Sequence, residues 1–192
     1  MITAIILAAG QSIRMGQPKM LLPWGNTTIL ETVITTYKAA GIDDILVVTG
    51  GVREQVETLI GNMAKTVFNP NYAKGEMLSS VQAGLTALKP EVEAVLIGLG
   101  DQPQVQERSV QLVVEAYQES GASIGVPSFQ MRRGHPWLVA RQHWDEIQRM
   151  HSPDSLRDFL NRHADEIHYV AVENDSILQD LDTPEDYLKS KP

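Results

Sequence analysis

The chain has 192 residues, 43% of them hydrophobic and 21% charged, enough for one α/β domain with a sizeable core and too few for two. With 24 acidic against 16 basic side chains the formal net charge is −8, a surface that repels nucleic acid and anionic lipid. Cysteine is absent, which excludes disulfides, thiolate metal sites and cysteine nucleophiles.

Thr3–Leu7 reads as the first strand. No basic n-region or cleavage site precedes it, so the cytoplasm is the expected compartment. The run Leu7-Ala-Ala-Gly10 then leads through Ser12, Arg14 and Gly16 to Lys19. A plain glycine turn with solvated cations is one reading of it. A phosphate socket is the other: small residues let a ligand approach the backbone, Arg14 offers a fork for bidentate contact, and Lys19 a point charge. It is neither G-x-G-x-x-G nor a Walker loop, because five residues separate Gly10 from Gly16 and Lys19 does not follow a glycine directly.

Thr28-Ile-Leu-Glu31 opens a helix with a capping box, and Gly41 stops it. Strands follow at Asp44–Thr49 and Thr66–Asn69. The loop after Asn69 passes Gly75 into a helix that carries Ser79 and Ser80, hydroxyls able to read a base or ribose edge as well as simply to cap. Ala94–Leu99 is a strand too short to span a bilayer. Gly100-Asp101-Gln102-Pro103 follows it, where the acid either caps a helix or holds Mg²⁺.

A helix over Glu107–Ser120 ends at Gly121. The letters Gly121-Ala-Ser-Ile-Gly125 match a nucleophile elbow, yet they lead from helix to strand, the wrong order for one. Ser123–Val126 and Pro136–Val139 are strands on either side of Arg132-Arg133-Gly134-His135-Pro136, a basic loop suited to a second anion. His135 serves substrate positioning there, since an ionised phosphate nucleophile needs no base. None of the five histidines forms an H-E-x-x-H zinc pattern. After the strand His168–Val172, Asp180 and Asp182 project to one side of Leu181. Thr183-Pro184 then opens the last helix, which leaves Asp182 free to form a two-carboxylate metal site with Asp101.

Strands alternating with helices predict a Rossmann-like fold: one mostly parallel twisted sheet with helices on both faces, built as a single domain over residues 1–192. Ligands of such sheets bind outside the C-terminal strand ends, and most of these motifs follow a strand.

Together, L-A-A-G-x-S-x-R-M-G-x-x-K, G-D-Q-P, R-G-H-P and D-x-D-T-P-E-D-Y resemble the nucleotidyltransferases that act on the molybdenum cofactor, from Ile5 to Tyr187. The resemblance implies the fold of nucleotide-diphospho-sugar transferases and transfer of an NMP from an NTP to a phosphorylated acceptor with Mg²⁺. It implies that Ala8, Ala9, Gly10, Ser12, Arg14 and Lys19 hold the triphosphate, that Leu7 and Asp101 also bind the nucleotide, and that Gly75, Ser79 and Ser80 read base and ribose. Asp101 and Asp182 would bind the metal, with Arg14, Lys19 and Asp101 catalytic, and Arg133, Gly134 and His135 would bind the acceptor. Ala9, where the guanylyl branch usually has glycine, is similar to the cytidylyl branch, which implies CTP, molybdopterin and a recipient of the xanthine dehydrogenase type. Rival readings are a guanylyl or sugar-1-phosphate nucleotidyltransferase, or a non-catalytic molybdenum-cofactor chaperone. A pure carrier would not need the cation and carboxylate sets together.

Overall fold

The computed structural model describes residues 1–74 and 76–192. Its strands are β1 (Ile2–Ala8), β2 (Pro23–Trp24), β3 (Thr27–Thr28), β4 (Ile45–Thr49), β5 (Lys65–Phe68), β6 (Ala94–Leu99), β7 (Ile124–Phe129), β8 (Arg132–Arg133), β9 (Trp137–Ala140) and β10 (Ile167–Ala171). The α-helices are α1 (Ile29–Ala39), α2 (Arg53–Ile60), α3 (Glu76–Thr86), α4 (Glu107–Ser120), α5 (Trp144–Arg149), α6 (Leu156–Arg162) and α7 (Pro184–Ser190). The main sheet runs β10-β7-β9-β6-β1-β4-β5, with β8 added to β7. β1, β4, β5 and β6 are mutually parallel, as are β7 and β10.

The continuous apolar runs are explained by burial on both faces. Along β1, Ala4, Ile6 and Ala8 face one core while Ile5 and Leu7, followed by Ala9, face the other, the two-residue period of a strand. The first core is closed by Leu30, Val33 and Ile34 of α1, Val56 of α2 and Val110 and Val113 of α4. The second is closed by Val81 of α3, Ile147 of α5 and Phe159 of α6. Each fully buried Leu, Ile or Phe contributes roughly 1.5–3 kcal/mol, so helices are held to both faces as expected.

Local signals behave as read. Thr28 Oγ1 accepts from Glu31 N at 3.3 Å and Glu31 Oε2 accepts from Thr28 N at 2.9 Å, and Thr183 and Asp186 repeat the arrangement at α7. Gly121 ends α4 with φ 66°, a left-handed cap that glycine adopts without strain.

One region differs from the alternating scheme. Arg132 and Arg133 form a strand, β8, rather than a loop, because Gln130 and Met131 turn the chain with φ 48° and 65°. Such a two-residue turn usually carries Asn or Gly, so the sequence does not announce this one. The chain then continues as β9, antiparallel to both β7 and β6 and lying between them. Among the described residues, no helix is long and apolar enough to cross a membrane.

A third, smaller cluster lies outside the two main cores. Leu181 and Tyr187 pack with Met15, Leu22 and Ile29, and Trp24 lies against them. Tyr187 Oη donates to Pro23 O at 2.7 Å. This contact holds the segment before α7 against the loop that follows β1.

Candidate active site

The loops after β1 and β6 meet at the C-terminal edge of the sheet. Gly10 is exposed, and a Cβ there would meet no protein atom within 4 Å, so packing does not require the missing side chain and a ligand can come close. At Gly50, after β4, a Cβ would sit 2.4 Å from Ala9 O, so glycine is needed for the first loop to pass. Ser12, at φ 50°, accepts from Lys19 N at 3.2 Å and folds the loop back on itself.

That fold aims Lys19 into the cleft. Its ammonium pairs with Asp101, lies 3.4 Å from Asp182 Oδ1 and donates to Leu181 O at 3.4 Å. Arg14 Nη1 reaches Asp182 Oδ2 at 3.0 Å. The two cations differ in exposure: the Lys19 side chain is 12% exposed and that of Arg14 73%. A pair as wet as Arg14–Asp182 holds little energy, which leaves Arg14 able to turn to a ligand. Lys19, little exposed and facing three oxygens, is fixed.

Asp180 completes the acidic group. Gln102 Nε2 donates to its Oδ1 at 2.7 Å. Burial pushes the Asp180 carboxyl above the usual range; the Gln102 hydrogen bond and Lys19 pull it down, whereas Asp101 and Asp182 add to the rise. Gln102 is buried, and its Oε1 has no protein partner. Sequence reasoning noticed Asp180 only as the neighbour of Asp182 and missed Gln102. The G-D-Q-P motif carried the signal, but which segment faces Gln102 is decided in space.

A cavity of about 610 Å³ is lined by Leu7 of β1 and by Ala9, Gly10, Ser12, Arg14 and Lys19 of the loop after it, together with Ser80, Asp101 and Asp182. Ala8 lies outside this lining; it is fully buried as the last residue of β1. Ser80 lines the cleft, but Ser79 lines a different cavity beside it. Asn69 Nδ2 donates to both hydroxyls, at 2.8 and 3.0 Å, and ties α3 to the end of β5. Gly75 lies outside the described residues.

A second cavity, of about 860 Å³, shares Met77 and Leu99 with the first. Arg133, Gly134 and His135 line it together with Gln102 and Asp180. A Cβ on Gly134 would sit 2.4 Å from Ile177 O, so this glycine lets two backbones touch. Gly134→Ala is expected to cost about 1–3 kcal/mol through overpacking, read as a drop in urea midpoint; an unchanged midpoint would show that the segment yields freely.

His135 is buried and stacks on Trp137 with ring centroids 4.5 Å apart. Burial pushes its pKa down to about 4, against smaller upward effects of the Ile97 carbonyl and Asp101. The ring is therefore neutral near pH 7. Nδ1 lies 3.2 Å from Ile97 O, and a carbonyl can only accept, so Nδ1 carries the proton and Nε2 is left as an acceptor. The cavity's cations are Arg132, Arg133 and Arg157; Arg133 is exposed, with its guanidinium 5.4 Å over the Tyr169 ring and donating to the Tyr169 hydroxyl.

A cation-and-carboxylate cleft outside the C-terminal ends of a doubly wound sheet places the protein among the nucleotide-handling α/β enzymes. The MobA-like NTP transferase domain family matches residues 4–167, and the chain belongs to that family of nucleotidyltransferases. It is 32% identical to the molybdenum cofactor cytidylyltransferase of Escherichia coli K12, over 99% of this chain and 95% of that protein. The crystal structure of Rv0371c from Mycobacterium tuberculosis H37Rv superposes with a TM-score of 0.85 at 27% identity, covering 98% of this chain and 96% of the other. A complex of Rv0371C with manganese superposes at 0.83 and 26% identity, over 99% and 97% of the two chains.

Proposed function

We propose that this nucleotidyltransferase moves CMP from CTP to the phosphate of molybdopterin, with release of pyrophosphate, and supplies a molybdoenzyme of the xanthine dehydrogenase type. The whole chain, residues 1–192, acts as one domain in the cytoplasm. The observation that carries the reading is the shared wall: Met77 and Leu99 border both the cleft of Lys19 and Arg14 and the cavity of Arg133, Gly134 and His135. A nucleotide in the first and a phosphorylated acceptor in the second would meet there. The E. coli relative's name supports cytidine as the nucleotide and the molybdenum cofactor as the acceptor.

An acceptor phosphate oxygen attacks the α-phosphorus of CTP, and the bond to the pyrophosphate oxygen breaks in line. An ionised phosphate brings its own nucleophile, so the protein's work is positioning and charge neutralisation. Lys19, fixed and little exposed, neutralises charge on the leaving phosphates, and Arg14 swings in from solvent to add a fork. Ala9 and Gly10 let the phosphates lie against backbone. Neutral His135 and cationic Arg133 orient the acceptor.

Magnesium fits the donor set. Asp101 and Asp182 offer hard oxygen ligands from two loops, already drawn to one cation in Lys19. Bound by them, the ion would neutralise phosphate oxygens as charge shifts to the leaving group. The manganese complex of the related Rv0371C supports a divalent cation.

CTP with Mg²⁺ is expected to raise the melting temperature more than GTP or ATP does, since a ligand at about 100 times its Kd stabilises by roughly 2.7 kcal/mol. Pyrophosphate release with each nucleotide and molybdopterin completes the test. A preference for GTP in both assays would overturn the choice of nucleotide, and no release with any of them the reaction itself.

A further inference from the structure

Two H-x-x-E segments, His143–Glu146 and His163–Glu166, come together at the edge of the sheet opposite the cleft. His143 closes the turn after β9 and Glu146 lies on α5. His163 caps α6, and Glu166 immediately precedes β10. Ser123, just ahead of β7, completes the group, with its Oγ 2.8 Å from His143 Nε2.

The geometry is that of converging ligands. One donor atom from each of His143, His163 and Glu166 lies within 4.8 Å of the other two. His143 Nε2 is 3.7 Å from Glu166 Oε2, and His163 Nδ1 is 2.7 Å from Glu166 Oε1. The imidazoles meet edge to face with centroids 4.7 Å apart, a spacing that disfavours two imidazolium ions. The His143 side chain is buried.

Behind this set is a partner of the kind metal-bound histidines use. His163 Nε2 lies 2.6 Å from Glu146 Oε2, and Arg162 holds that glutamate at 2.9 Å. A carboxylate on the far nitrogen fixes tautomer and ring orientation and raises basicity. Glu166 is exposed and His163 half-buried, so an ion can enter from solvent and keep a water as its remaining ligand.

We propose that His143, His163 and Glu166, supported by Glu146, form a zinc-class divalent metal site at the end of the sheet away from the catalytic cleft. Two nitrogens and one carboxylate suit zinc and other imidazole-seeking ions rather than Mg²⁺. The ion would clamp the end of β9, α6 and the entry to β10 together. The alternative is a histidine held by two glutamates with no affinity for metal.

Zinc chloride titrated into metal-free protein, with bound metal counted by equilibrium dialysis, separates them. One zinc per chain is expected to bind, to raise the melting temperature, and to persist in Asp101→Asn and in excess Mg²⁺. That zinc is expected to be lost in Glu166→Gln, an exposed change that leaves the fold intact, and in His163→Asn. Glu146→Gln, one step removed, should weaken it by about 10–100-fold. Absence of stoichiometric zinc, equal binding in Glu166→Gln and wild type, or loss only in Asp101→Asn would each overturn the site.

Discussion

Lys19→Ala is expected to lower kcat/KM for CTP by about two orders of magnitude while the protein stays folded. A buried charge-assisted contact is worth roughly 1.5–3 kcal/mol or more, and each 1.4 kcal/mol is tenfold in rate. The loss goes beyond one missing contact. Lys19 is the ammonium between Asp101 and Asp182, so without it Asp101 loses its cation, Asp182 keeps only the exposed Arg14, and an incoming triphosphate meets a less neutralised acidic group. Arg14 cannot replace it, being mostly exposed and attached to Asp182 alone. Lys19→Arg should rescue little, because a planar fork does not fit where a compact point charge is enclosed. Steady-state pyrophosphate release measures the effect, with circular dichroism to confirm the fold. Near wild-type kcat/KM in the alanine variant would remove Lys19 from the phosphate site.

The second large effect concerns the acids. Asp101→Asn is expected to remove most activity, Asp182→Asn less, and the double variant to be little worse than Asp101→Asn. Both carboxylates converge on one ammonium, and groups acting as a unit give non-additive losses. Asp101 should dominate because its side chain is 17% exposed against 39% for Asp182, and solvent screens the more exposed charge. The competing role for Asp182 is to start α7. The hydrogen bonds of that cap, however, join Thr183 and Asp186, which leaves the Asp182 side chain to Arg14 and Lys19. Rate measured against Mg²⁺ concentration decides: the midpoint should rise in both single variants. Fully multiplicative losses, with an unchanged midpoint in Asp182→Asn, would separate the two residues.

Much of this arrangement could be read from the sequence where the cause is local. Apolar runs marked the strands because both faces are buried, and Thr28, Thr183 and Gly121 marked helix ends because each satisfies backbone groups within a few residues. Lys19, Asp101 and Asp182 stood out as charges after strand ends, and the fold brings them within hydrogen-bonding reach. What the sequence concealed depends on contacts across the chain. The direction of β9 follows from a turn made by Gln130 and Met131, residues with no turn preference. Gln102 pairs with Asp180 from another loop. His163 draws Glu146 from a different helix, so a search for H-E-x-x-H passes over the H-x-x-E pair. His135 was readable as a positioning residue beside Arg132 and Arg133, but its neutral state follows from burial, with Ile97 and Trp137 beside it, which the sequence does not show.

The small cluster around Leu181 is where the enzyme is expected to yield first on warming. Asp182 is held in place by Leu181 and Tyr187 against Met15, Leu22 and Ile29, a patch far smaller than either face of the sheet. Segments with few buried contacts open at lower free energy than the body of a protein. On warming, the last helix is therefore expected to lift away before the sheet opens, taking Asp182 from Lys19 and Arg14. Loss of activity is then expected at a lower temperature than loss of the sheet's circular dichroism, with the seating of Leu181 and Tyr187 setting the gap between the two.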